Sequence, residues 1–123
     1  MESKTRSYKD LIASQKGIQL TRLVYQLASK FPSEEKFGLV SQIRRAAVSV
    51  PSNIAEGQAR RTSGEFIQFI SNAEGSIAET DTQLIVSVEL GFCRSADIAK
   101  ASELVVELPK MLNVLRRKLL ARS

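Results

Sequence analysis

Three runs of cations are the residues of this chain whose type and spacing point to a chemistry: Arg44-Arg45, Arg60-Arg61 and Arg116-Arg117-Lys118. Guanidinium and ammonium groups bind phosphate oxygens and release the counterions condensed on a nucleic-acid backbone. A single Arg pair on a helix is more often a solvated face, and a triplet near a helix C-terminus also suits the negative end of the dipole. Phe66 and Phe69 read as core and Tyr8 stands alone, so no aromatic residues are expected to interleave with these cations. The expected binding mode is therefore electrostatic and tolerant of sequence, not stacking on bases.

Glu56 and Glu79 are the candidates for a carboxylate pair around a metal or substrate. The chain has no His, which removes the usual general base, a Cys/His zinc site and a carboxylate-plus-His di-iron site. Ordinary polar contacts are the preferred reading of both glutamates. No catalytic residue, cofactor or metal is expected. A lone Cys93 excludes a disulfide within the chain and suits a reducing cytoplasm, where it acts as a small hydrophobe.

The charge is laid out in blocks: net +6 over residues 1–61, −6 over 62–107 and +5 over 108–123. Such polarity serves either a basic surface for phosphates or complementary faces that meet in an oligomer. At 123 residues, 43% hydrophobic and 25% charged, the chain makes one domain with one core. Residues 1–8 are expected to be a flexible tail. The polar N-terminus shows no secretory signal or anchor, so a cytoplasmic protein with no membrane contact is expected.

The elements that position these charges are helices, since apolar residues recur at helical spacing and no period-two alternation is sustained. A first helix runs from about Asp10 to Ser29 and ends before Pro32. Ser33, followed by Glu34-Glu35, is the expected N-cap of a second, with a core stripe at Leu39, Ile43, Ala46, Val50 and Ile54. Pro51 falls inside that stripe, and the register continues through it, so a kinked helix ending near residues 57–59 is preferred over two helices broken at Val50. Thr62-Ser63 caps a third helix that stops at Gly91. Gly75, among Ser71, Ala73, Ser76 and Ala78, is expected where two backbones approach closely.

Ser95 is the expected cap of the fourth helix, whose seam Ile98, Ala101, Val105, Leu108, Leu112, Leu115 and Leu119 alternates spacings of 3 and 4. Pro109 sits beside that seam and bends the helix without ending it. Leu104, Met111 and Leu120 widen the stripe enough for a second neighbour, such as another subunit. Four helices with short links pack as an all-α, antiparallel, up-down-up-down four-helix bundle. Two polar rows, Gln42, Arg45, Ser49, Asn53, Glu56, Arg60 and Glu65, Gln68, Asn72, Ser76, Glu79, Gln83, share one spacing pattern. If they face each other, Arg45 or Arg60 pairs with Glu79 or Glu65, and Asn53 bonds the backbone freed by Pro51.

The stretch from Gln42 to Gly57, containing Ser49-Val50-Pro51-Ser52-Asn53-Ile54-Ala55-Glu56-Gly57, followed by Phe66, Phe69, Ala73, Gly75-Ser76 and Glu79-Thr80, resembles the four-helix-bundle family encoded in intervening sequences of bacterial 23S ribosomal RNA genes. Many members carry a Trp in the first helix after Asp-Leu, where this chain has Ile12-Ala13-Ser14-Gln15-Lys16. That family is similar to the accessory variability proteins of diversity-generating retroelements. The resemblance implies a ring-shaped homopentamer with a basic surface, RNA or DNA as a partner, contact with a reverse transcriptase, and no enzymatic activity. Under it, Ser49, Pro51, Asn53, Glu56, Gly57, Gly75 and Glu79 are structural, with Gly57 allowing a conformation or a close contact that a side chain would obstruct, and contact with nucleic acid falls to Arg44, Arg45, Arg60, Arg61, Arg116, Arg117 and Lys118.

Overall fold

The computed structural model describes residues 8–122; the expected tail lies almost wholly outside them, and its last residue, Tyr8, already begins a helix. Four helices follow: α1 (Tyr8–Ala28), α2 (Leu39–Gln58), α3 (Ser63–Glu89) and α4 (Ala99–Arg122). The described residues contain no strand.

Each helix packs on its neighbours in chain order, and α1 also packs on α4, which closes the bundle. Contacts run in opposite chain directions across the seams. Gly17 meets Pro51 while Thr21 meets Ala47, and Gly57 meets Phe66 while Ser49 meets Ser76 and Gln42 meets Gln83. Neighbouring helices are therefore antiparallel, as short links require.

The inward stripes of all four helices form one core in which Leu20, Ile43, Ile54, Phe66, Leu84 and Leu112 are fully buried. Each such side chain contributes about 1.5–3 kcal/mol relative to exposure. Thr80, the polar member of the α3 stripe, is buried without penalty because its hydroxyl donates to the Ser76 carbonyl at 2.8 Å. Leu104 and Met111 pack on this same core, so the extra width of the α4 stripe is used inside the chain, and only Leu120 of that trio stays exposed.

Two helix starts differ from expectation. Ser33 opens a separate 3-10 turn, Ser33–Glu35, and α2 begins only after Gly38, where Glu35 Oε1 accepts the Leu39 N–H at 3.2 Å. Ser95 likewise opens a 3-10 turn, Ser95–Ile98, and the carboxylate of Asp97 accepts the Arg94 N–H there. Glu35 reaches forward to the first turn of α2 and Asp97 reaches back to the residue before its own turn, so neither serine is needed as a cap. Thr62 does cap α3, in a reciprocal box with Glu65. Gly91, at φ +79°, terminates that helix with Phe92 N–H bonded to Ser87 O.

α2 passes through Pro51 as one helix. Proline lacks the N–H that would bond the carbonyl of Ala47. That carbonyl is met from α1 by the Thr21 hydroxyl at 3.1 Å, whereas Asn53 Nδ2 donates to Ser49 O at 2.7 Å. The Thr21 hydroxyl also faces Gly17 O of its own helix at 2.9 Å, so its one proton is shared between that carbonyl and the freed one across the helix pair, and the asparagine does not reach the freed group. One turn away, Gly17 lets the Pro51 ring approach: a methyl there would lie 3.3 Å from Pro51 Cβ.

Of the two close approaches expected, the one at Gly57 is found and the one at Gly75 is not. Gly75 is exposed with open space where a side chain would stand, while a methyl on Gly57 would sit 2.6 Å from Phe66 Cδ1 and 2.9 Å from Phe69 Cβ. Ser71, Gly75 and Ala78 lie on an outer face of α3, while Ala73 is buried and Ser76 bonds Ser49 across the seam with α2, and the helix period alone does not say which side of a helix is outer.

Candidate nucleic-acid interface

The antiparallel order puts the α2–α3 link and the end of α4 at one end of the bundle. Arg60 and Arg61 lie in that link, and Arg116, Arg117, Lys118 and Arg122 occupy the last two turns of α4. Arg44 and Arg45 stand apart. They lie some fifteen residues back along α2 from Arg60, roughly 22 Å at the helical rise. These eight cations therefore form two regions.

Within the end region the cations differ in what already holds them. Arg116 is half-buried, pairs with Glu74 of α3 and reaches Asn113 Oδ1 at 3.4 Å. Its hydrogen bond to Glu74 raises the pKa above the usual arginine value, against the opposing effect of burial. Arg116 is accordingly a clamp between α3 and α4. Arg60 turns back to Glu56 Oε2 at 2.9 Å and lays its guanidinium over the Phe69 ring, 4.5 Å from the centroid. Arg61, Arg117, Lys118 and Arg122 are exposed and make no ion pair among the described residues.

Arg44 and Arg45 border a shallow groove of about 470 Å³ between α1 and α2, lined also by Tyr25, Lys36, Phe37 and Val48. The Arg44 guanidinium stacks over Tyr25 at 4.8 Å, and the Lys36 ammonium lies 5.5 Å from the Phe37 ring centroid. Phe37 is 89% exposed. Aromatic rings do accompany the basic residues, against the expectation of a purely electrostatic surface. Lys36-Phe37 was open to inspection as a dipeptide, but Tyr25 reaches Arg44 only because α1 and α2 pack together.

The polar rows of α2 and α3 do face each other. The Ser49 and Ser76 hydroxyls are hydrogen-bonded, and Gln83 Nε2 donates to Gln42 Oε1 at 3.5 Å. The predicted ion pairs across this seam are not those formed, because Arg60 turns back from the link to Glu56 at the end of α2 and Glu65 is engaged in the α3 cap. In this register Glu56 lies level with Phe69, and Glu79 is ten residues further along α3, roughly 15 Å away by helical rise. The two carboxylates do not converge. Among the described residues no group of three His, Cys, Asp or Glu side chains is placed to hold a metal ion, and no helix is long and apolar enough to cross a membrane.

The structure defines an all-α four-helix protein with a polar seam between α2 and α3 and a basic end. Residues 9–114 match the model of the 23S rRNA-intervening sequence protein family, and the chain belongs to that family. No curated protein matches the chain.

Proposed function

We propose that this protein is a non-enzymatic, homo-oligomeric accessory factor that binds RNA or DNA electrostatically, with little regard for sequence, in the cytoplasm. The observation that carries the reading is the basic end, where Arg61, Arg117, Lys118 and Arg122 are exposed and form no ion pair among the described residues. Phosphates placed there exchange condensed counterions for these groups. The retroelement resemblance adds a reverse transcriptase as the protein partner to be tested.

Self-association is supported by two outer faces at diagonal corners of the bundle. On α1, Leu11, Ile18 and Tyr25 are exposed at seven-residue spacing beside Val48 of α2, with Arg22, Arg44 and Arg45 around them. On α3, Ser71, Gly75, Ala78, Thr82 and Ile85 form an exposed stripe of mostly small side chains bordered by Glu79 and Glu89. Large apolar residues with cations fit small residues with acids. Joining unlike faces builds a head-to-tail assembly that closes as a ring, the pentamer being the form the resemblance implies.

The test pairs Arg61→Glu/Arg117→Glu with mass measurement by light scattering. Expected are an intact oligomer, weaker binding to every sequence alike, and a shallower salt dependence, by about 0.7–0.9 log unit for each phosphate no longer neutralised. An oligomer that falls apart in this variant assigns these arginines to the subunit interface. Wild-type protein with no affinity for RNA or DNA at low salt leaves only a protein-interaction module, the reading favoured by the exposed apolar stripe on α1.

A further inference from the structure

At the end of the bundle away from Arg61 and Arg117, the last turns of α1, the link after α3 and the start of α4 enclose a cleft of about 490 Å³. Its floor is apolar, formed by Leu23, Leu27, Ala101 and Phe92, the last packed on Phe31 with ring centroids 5.6 Å apart. Its rim carries three cations, Lys30, Arg94 and Lys100, against one carboxylate, Asp97.

That carboxylate is already engaged. Asp97 Oδ2 accepts the Arg94 backbone N–H at 2.8 Å and lies 3.6 Å from Arg94 Nε. The backbone hydrogen bond, aided by the charges of Arg94 and Lys30, holds the Asp97 carboxyl below its usual range, so it stays ionised and bound to its own turn. Lys30 and Lys100 make no ion pair among the described residues. The cleft thus offers an apolar floor beneath two ammonium groups that form no ion pair among the described residues, Asp97 being bound to its own turn.

We propose that this cleft binds a small amphiphilic anion, an apolar body carrying one carboxylate or phosphate. The apolar part displaces water from Leu23, Leu27 and Phe92. The anionic head pairs with Lys30 and Lys100 at the rim. Cys93 lines the same cleft, and burial, with Asp97 nearby, pushes its thiol pKa up, so its alkylation calls for mildly alkaline pH. The proposal shares no residue with the basic end and stands whether or not nucleic acid binds there.

The single thiol provides the assay. Alkylation of Cys93 by N-ethylmaleimide at mildly alkaline pH, followed by intact mass, is compared with and without decanoate, decyl phosphate or decyltrimethylammonium, each below its micelle concentration. At roughly ten times the dissociation constant an anion slows labelling about tenfold, since only the unoccupied fraction reacts. Protection by decanoate alone identifies a carboxylate head, and protection by decyl phosphate alone identifies a phosphate head. Lys30→Gln/Lys100→Gln, at two exposed positions, is expected to abolish protection, read as the ratio of labelling rates with and without anion in the same variant, while leaving the melting temperature unchanged. Equal protection by the cationic amphiphile, no protection by either anion, or undiminished protection in the lysine variant overturns the proposal.

Discussion

Replacing Gly57 by alanine sets two effects of opposite sign against each other, and the structure decides which wins. In a helix interior the change gains about 1 kcal/mol of intrinsic propensity. The added methyl, however, would stand 2.6 and 3.0 Å from two carbons of the Phe66 ring and 2.9 Å from Phe69 Cβ. Comfortable carbon–carbon contact is about 3.5–4.0 Å. Phe66 is fully buried, so its ring has no solvent to swing into, and Phe69 lies beneath the Arg60 guanidinium. Overpacking costs about 1–3 kcal/mol, and two displaced aromatic residues put this site at the upper end. The net expectation is a loss of about 2 kcal/mol, or roughly 6–12 °C in melting temperature for a chain of this size. Thermal unfolding followed by circular dichroism measures it, with Gly64→Ala as control because nothing lies within 4 Å of that position. A Gly57→Ala protein that melts at or above the wild-type temperature refutes the close contact.

Thr21→Val removes the hydroxyl that meets the Ala47 carbonyl opposite Pro51, and is expected to cost about 1–3 kcal/mol in chemical denaturation, with Thr21→Ser retaining most of it. Equal stability of the valine and wild-type proteins would show that the carbonyl needs no partner from α1. Gly75→Leu, on the exposed stripe of α3, is expected to stabilise the isolated bundle by up to about 1 kcal/mol and to reduce the oligomer mass in light scattering. Unchanged mass in that variant removes the α3 face from the assembly.

Much of the architecture was legible in local pattern. The alternation of 3 and 4 from Ala101 to Leu119 is a helix seam wherever it occurs, and all of those positions are buried. Thr62 and Glu65, three residues apart, satisfy each other's neighbouring backbone without help from the rest of the fold. The Gln42-to-Gly57 segment carried the family likeness that the family model bears out. Expectations failed at Ser33 and Ser95, because Glu35 and Asp97, only two residues further on, supply the capping oxygen instead.

What the sequence determined by itself were the groups and their spacing: four helical stripes, two polar rows of matching period and three runs of cations. Only the tertiary structure decided which groups meet. It placed Thr21 opposite the carbonyl that Pro51 leaves free, gave the close helix approach to Gly57 and left Gly75 in the open. It joined Arg116 to Glu74 while leaving Arg117 and Lys118 on the surface with no ion pair among the described residues. Periodicity reports the direction of a side chain about its own helix axis. The rotation and height of one helix against the next come from interdigitation of all the inward side chains at once, a property of the packed core that no single stretch of sequence contains.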